Sequence, residues 1–404
     1  MNPFIPLAMV AVVGVSPTEK GVTVTLDPQA ENQPRLVRLQ ALGDKIIRVS
    51  ATPDATFADT PSLVTVPQTA EVAYKVVETD TAVSIVTPTL SASVSLPSGT
   101  VRFYNADGSL IAAEDSRSFS PIEVEGRRGW TVTQSFLNLD DDEGLYGLGQ
   151  HQSDEFNYKG LNEELFQYNT KVSVPFILST GNYGILWDSY SLCRFGNPEP
   201  YRQLGEVFRI YDADGKPGAL TGTYIPAGAA EPSIVQREDS IYFEHLIRKE
   251  LKHVVNLPQD FPYPGSHVTY TGEIEAPETA DYKFILYYSG YITVTIDGKE
   301  VVPERWRTAW NPNSYKFSVP LTAGKRVPIK IDWQPNGQVA YCGLRVYAPR
   351  SEREQMQMTW WGEMQGQEDY YFIAGEDMDD VIHGYRTLTG KAPVMPRWAM
   401  GYWQ

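Results

Sequence analysis

Four residues, Phe166-Gln-Tyr-Asn169, place two amides around one aromatic ring. An amide both donates and accepts, so Gln167 and Asn169 suit a ligand rich in hydroxyls, and Tyr168 suits the flat C–H face of such a ligand. A surface loop with no ligand is the competing reading. A second stretch, from Asp297 to Trp310, sets Trp306 and Trp310 among acids and turn residues. These are stacking candidates, although tryptophan is more often buried for packing. Tyr287, Tyr288 and Tyr291 pose the same choice.

Other chemistry-bearing residues are weaker. Asp140-Asp-Asp-Glu143 is acidic enough for a hard cation, but such ions need converging oxygens and adjacent side chains diverge, so a solvated turn is expected. None of the five histidines has ligand spacing, and His151 reads as a structural hydrogen-bonding residue. Cys193 and Cys342 fall in different expected domains, so no disulfide is predicted. No metal site and no cofactor are assigned.

These residues need elements to hold them, and composition points to strands. Twenty-nine prolines and 32 glycines separate short runs rich in Val, Thr, Ile, Tyr and Phe. Apolar and polar residues alternate in 21–26, 45–50, 82–87 and 90–96, the pattern of half-buried strands in an antiparallel sandwich. Asn105-Ala-Asp-Gly108 and Asp212-Ala-Asp-Gly215 mark turns. One helix is expected over 376–388, where Met378, Val381, Ile382, Tyr385 and Leu388 share a face and Pro393 blocks continuation. Pro396 to Gln404 then reads as a strand.

The net charge of −16 excludes nucleic acid and anionic membranes as partners, because both demand an excess of Lys and Arg. Pro3 to Val15 is apolar but lacks a basic flank and contains Pro6, so neither a membrane span nor a complete signal peptide is read there. The compartment stays open, with export the expectation.

Three strings occurring in order resemble glycoside hydrolase family 31. Gly144-Leu-Tyr-Gly-Leu-Gly-Gln-His151 and Pro175-Phe-Ile-Leu-Ser-Thr-Gly-Asn-Tyr-Gly-Ile-Leu-Trp-Asp188 resemble the signatures of its N-terminal sandwich, with Gln150 where many members have Glu. Pro396-Arg-Trp-Ala-Met-Gly-Tyr-Trp-Gln404 resembles the opening strand of its catalytic barrel. The stretch from Pro217 to about Tyr347 resembles the protective-antigen-type β-sandwich inserted in various sugar-active proteins, on Gly218–Tyr224, Tyr270–Pro277, Asp281–Phe284 and Ile292–Gly298.

The resemblance implies a mostly β chain. A galactose-mutarotase-like sandwich (1–216 and 351–390) would be interrupted by the insert (217–350), and a short helix would lead into the first strand of a (β/α)₈ barrel (391–404). It implies a retaining, exo-acting α-glycosidase, most similar to α-xylosidases acting on xyloglucan oligosaccharides, with the insert shaping the distal part of the pocket. α-Glucosidase or α-transglucosylase activity, or a non-catalytic carbohydrate-binding module, are the alternatives. The family's two catalytic aspartates sit on later barrel strands, so no catalytic residue is expected in this chain and the rest of the barrel is an expected partner. The loop after Gln150 is implied to approach the sugar through Gln167, Tyr168 and Asn169. Where some inserted domains of this type hold calcium through an acidic pair, this chain has Tyr287-Tyr-Ser-Gly-Tyr291.

Overall fold

The computed structural model describes residues 11–404 apart from 29, 60, 152–154, 168–170, 197–200, 246–257, 259–260, 309–313, 338, 348, 350, 352–353, 355 and 402–404. It divides into two compact units, one of residues 1–150, 156–198 and 352–404, the other of 151–155 and 199–351. Both are antiparallel β, as the alternating patterns require.

The first unit stacks an eight-stranded on a nine-stranded sheet. The first has the strand order Ala11–Thr18, Gly21–Asp27, Leu36–Gly43, Ile46–Thr52, Glu368–Ala374, Tyr183–Trp187, Val172–Ser179, Leu145–Gln150. The second runs Glu163–Leu165, Cys193–Phe195, Met358–Gln365, Arg127–Phe136, Leu110–Val124, Val101–Asn105, Leu90–Ser95, Ala82–Val86, Lys75–Glu78. Inward residues of both form one core, in which Phe103 stacks on Phe372 at 3.8 Å and Trp187 lies parallel to Trp360.

The two strands that follow the second unit in sequence lie in the middle of the first. Met358–Gln365 sits between Cys193–Phe195 and Arg127–Phe136, and Glu368–Ala374 between Ile46–Thr52 and Tyr183–Trp187. They bring charge into the core. Fully buried Arg117 donates to Glu114 Oε1 (2.5 Å) and to the Gly99 carbonyl (3.1 Å), and its Nε lies against the Glu368 carboxyl. Glu114 also accepts from Tyr370 Oη (2.5 Å) and the Val101 amide (2.7 Å). Burial lifts both carboxyls above their ordinary range, and Glu368 reaches about 8. Glu114 accepts three hydrogen bonds, which favour its charged form, whereas Glu368 keeps its proton at neutral pH.

The helix forms at Met378–Thr389. The Asp377 side chain accepts from the Asp380 amide (2.8 Å), Val381 and Leu388 are buried, and Tyr385 stacks on Phe176 at 4.4 Å. Beyond it, Arg397–Met400 is a 3₁₀ turn where the sequence predicts a strand. A strand needs a neighbour to bond its backbone, and no ladder reaches these residues among the described ones. Trp398 and Met400 are 71% and 80% exposed, and Tyr402 and Trp403 lie outside the described residues.

The second unit has a seven-stranded sheet ordered Ile234–Glu238, Leu220–Ile225, His267–Glu275, Arg326–Gln334, Gly290–Ile296, Lys299–Arg307, with Arg209–Tyr211 paired to His267–Glu275. Its five-stranded sheet holds Arg202–Gln203, Tyr242–His245, Ala340–Val346, Ala280–Tyr288 and Ser314–Leu321. Their inner faces meet in a separate core containing Tyr224, Tyr270, Tyr282 and Trp333. This unit begins ahead of Pro217, where the resemblance starts the insert, because Arg202–Gln203 and Arg209–Tyr211 are bonded into its sheets.

Removing the Arg117 cation tests how far the first unit depends on it. Arg117→Met leaves Glu114 and Glu368 buried without it and is expected to cost about 3–5 kcal/mol, read as a lower urea midpoint. A pH series adds a signed test. The folded Glu368 holds its proton to about pH 8, whereas the unfolded carboxyl loses it near its ordinary 4.5, so the native state binds the extra proton between these values and stability falls as pH rises across them. Glu368→Gln is expected to flatten that fall between pH 5 and 8; an unchanged slope rules the assignment out.

Candidate functional site

The Gly-Leu-Gly run ends the strand Leu145–Gln150 in a conformation that launches the next loop. Gly147, Leu148 and Gly149 all have positive φ (123°, 63° and 98°), and pairing with Val172–Ser179 jumps between Gly147↔Ile177 and Gly149↔Ser173. A Cβ on Gly147 would lie 2.5 Å from the Phe176 carbonyl oxygen and one on Gly149 2.1 Å from that of Val172. Only glycine permits both the φ values and the approach. Leu148 accepts the strained geometry because its side chain is fully buried in the core.

Two buried lysines tie down the loop that follows. Lys159 donates to Asn138 Oδ1, to the Asp140 carbonyl (3.0 Å) and to Glu143 Oε2 (3.0 Å). Thus Glu143 of the acidic run turns towards an ammonium, while exposed Asp140 and Asp141 accept from the Asp142 amide (2.9 Å) and Asn138 Nδ2 (2.5 Å) within the turn. Lys171 donates to Glu163 Oε1 (2.8 Å) and the Glu164 carbonyl (2.6 Å). Just before Lys159, Tyr158 packs against Phe195, and between the two lysines Glu163–Leu165 adds an edge strand to the nine-stranded sheet. Gln167 is exposed at the tip of this anchored segment, while Tyr168 and Asn169 lie outside the described residues.

In the second unit the candidate aromatics separate. Tyr288 is buried, and half-buried Tyr287 meets Tyr341 edge-on, so both serve packing. Tyr291 and Trp306 are 42% and 53% exposed and stand directly opposite each other on neighbouring strands. Trp310 lies outside the described residues. Half-buried His151 belongs to this unit, as does Glu155, which accepts from Lys316 Nζ (2.7 Å). Cys193 and Cys342 are free thiols, each buried in its own unit's core. Among the described residues no three His, Cys, Asp or Glu side chains converge to hold a metal.

Sequence reasoning overlooked Asp188, the last residue of the second signature string. Its carboxyl is raised by burial, its Oδ2 lies 3.4 Å from Tyr371 Oη, and it lines a cavity of about 120 Å³ with Tyr190, Gln365, Gln367 and Asp369. The cavity is small beside the roughly 300–1,000 Å³ of ordinary ligand pockets. Asp369 within it is already engaged by Arg48. The absence of a polar periodicity around Asp188 left no sequence signal for this network.

Comparison with known proteins agrees with the two-unit architecture. Residues 36–195 match the glycosyl hydrolase 31 N-terminal galactose mutarotase-like domain, and residues 257–360 match the PA14 domain. The solved GH31 alpha-xylosidase of Xanthomonas citri is 37% identical with a TM-score of 0.85, over 96% of this chain and 41% of that one. An alpha-xylosidase of Saccharolobus solfataricus is 31% identical over 166 residues, 39% of this chain and 22% of that protein. A family 31 glucosidase of Pseudescherichia vulneris is 27% identical over 177 residues, covering 38% and 33% respectively. The chain thus spans less than half the length of each of these relatives.

If Lys159 holds the loop, Lys159→Met is expected to leave Glu143 unpaired, lower stability by about 3 kcal/mol and speed proteolytic cleavage between residues 156 and 171. Because the ammonium already fills the space between those oxygens, millimolar calcium should leave the Tm of the unaltered protein where it is. A calcium-dependent rise in Tm would show that the acidic run binds the ion instead.

Proposed function

We propose, for a chain that carries the N-terminal domain of glycoside hydrolase family 31 interrupted by a PA14 domain, that the whole protein is a retaining, exo-acting α-glycosidase, an α-xylosidase acting on xyloglucan oligosaccharides. The observation that carries this reading is the likeness to the Xanthomonas citri enzyme at 37% identity along 96% of the chain, inserted domain included. Retention of configuration needs two carboxyl groups about 5 Å apart, one nucleophile and one acid/base. Of the buried acids of the first unit, Glu114 and Glu368 are engaged by Arg117, Asp369 by Arg48 and Glu163 by Lys171, and Asp188 faces a cavity of only about 120 Å³. We therefore assign the acid pair to a barrel continuing from residues 391–404, whose exposed Val394, Met395, Trp398 and Met400 would pack against it.

In this reading the described chain supplies substrate contacts. Gln167, with Tyr168 and Asn169, borders the terminal sugar, and the PA14 domain forms the distal rim of the pocket. Contacts far from the cleaved bond can be used to stabilise the transition state, which favours oligosaccharides over small aryl glycosides. An α-glucosidase or α-transglucosylase is the nearest alternative, favoured by the match to the Pseudescherichia vulneris glucosidase.

The test is kinetic. The full-length enzyme is expected to show a higher kcat/KM on xyloglucan oligosaccharides than on aryl α-xyloside, and little turnover of aryl α-glucoside; preference for the glucoside would overturn the xylosidase assignment. Gln167→Ala should lower kcat/KM on the oligosaccharides by about fivefold to tenfold, the weight of one neutral hydrogen bond.

A further inference from the structure

Beside the small cavity at Asp188, the first unit carries an open hollow of about 680 Å³, and Ala58 and Gly366 line both. Its volume is that of an ordinary ligand pocket. The hairpin of Leu110–Val124 and Arg127–Phe136 supplies Glu123, Arg128 and Trp130, and the loop after Ile46–Thr52 supplies Asp54 and Ala58. Gly366 comes from the turn between Met358–Gln365 and Glu368–Ala374. Ala58 and Gly366 bring almost no side chain, which leaves the space open. The indole is fixed before any ligand arrives: Trp130 Nε1 donates to Asp54 Oδ2 (3.1 Å), Phe119 meets the ring edge-on at 6.3 Å, and the sandwich core packs against it. Asp54 is held in turn, because its own amide donates to Thr52 Oγ1 (3.1 Å). A half-buried ring that is already immobile loses little freedom on binding.

The rim decides what kind of ligand fits. Arg128 donates, Asp54 and Glu123 accept, and Arg128 Nε lies 3.5 Å from Glu123 Oε2, so the wall carries both signs and selects neither a cation nor an anion. An aromatic ring flanked by donors and acceptors suits an uncharged ring with an apolar C–H face and hydroxyl edges. The sheet also relates this hollow to the candidate loop. Leu165 pairs with Cys193, Cys193 with Gly362 and Gly362 with Val132, so one register row crosses from the strand that leads to Gln167 to the strand of Trp130. Trp130 lies two residues off that row, on the side towards which Glu163–Leu165 runs on to Gln167. Three strand spacings separate them, about 14 Å. We propose that the hollow is a sugar-binding subsite of the first unit: Trp130 takes the C–H face of one pyranose of a neutral glycan, and Asp54, Glu123 and Arg128 take its hydroxyls. A chain that reaches from the Gln167 loop to Trp130 gains from both ends, whereas a single sugar does not. The subsite rests on the glycosidase reading for the class of sugar alone.

Affinity electrophoresis of the full-length protein in gels containing xyloglucan and, separately, dextran tests the proposal. The unaltered protein is expected to be retarded in at least one of them. Trp130→Ala should weaken that retardation about tenfold, as loss of a central aromatic contact does, and Trp130→Phe should recover part of it. Because the indole also packs on the core, a second variant leaves it in place: Ala58→Arg fills the hollow and should weaken retardation to a similar degree. Val124→Ser, at the exposed tip of the same hairpin, should change nothing. Thermal unfolding of each variant confirms that it is folded. The gels report binding without turnover, so loss of the xylosidase assignment leaves the result intact. No retardation in either gel, or a folded Ala58→Arg variant retarded as before, would overturn the subsite.

Discussion

The first unit depends on one buried cation. Arg117 sits between Glu114, on its own strand, and Glu368, on a strand reached only after some 250 further residues, and it joins the two sheets from inside. A guanidinium placed there without partners would unfold the sandwich, because taking an unpaired charge from water costs far more than a domain's net stability. The late strands Met358–Gln365 and Glu368–Ala374 are therefore required twice over: they fill the gap in each sheet, and they bring the second carboxyl. A chain ending before them would leave the core open and Arg117 half-satisfied. This explains why an insertion can interrupt the sandwich but cannot replace its continuation.

The candidate loop follows from a second, backbone constraint. Three successive left-handed residues at 147–149 force the strand out of register, and what leaves the sheet must be held by something other than a ladder. Lys159 and Lys171 do this by filling carbonyl-lined and carboxylate-lined recesses with ammonium groups. Three donors on one compact cation can satisfy acceptors that diverge too far to meet a common small ion. The acidic run at 140–143 is thus part of the loop's foundation, and the exposed Gln167 is presented from a segment whose base is rigid.

Much of the fold was legible because it is written in short-range patterns. Period-2 alternation located the strands at 21–27, 82–86 and 90–95, and acids with an apolar stripe located the helix at 378–389. Long-range pairings were not legible: nothing local in Glu368-Asp-Tyr-Tyr says that its acid faces Arg117, and nothing near Trp306 says that Tyr291 is its neighbour. The 3₁₀ turn at Arg397–Met400 shows the same limit, since an extended pattern becomes a strand only where another backbone receives its hydrogen bonds. The start of the second unit shows it too, because Arg202–Gln203 carries no pattern of its own and is defined wholly by what it pairs with.

The same two-residue strand bears on how so large an insertion is tolerated. Within the second unit Arg202 pairs with Val346 and Tyr201 stacks on Tyr347 at 3.7 Å, so its entering and leaving segments lie side by side. Within the first unit Phe195 pairs with Trp360, so the strands that leave and resume are also adjacent. Closing an unstructured loop costs entropy that grows with the logarithm of its length. A segment that folds on its own core and returns its ends together replaces most of that cost with its own folding free energy. The seam is thus matched on each side by an antiparallel pair, and the sandwich core needs no contribution from the inserted domain beyond the closeness of its two ends.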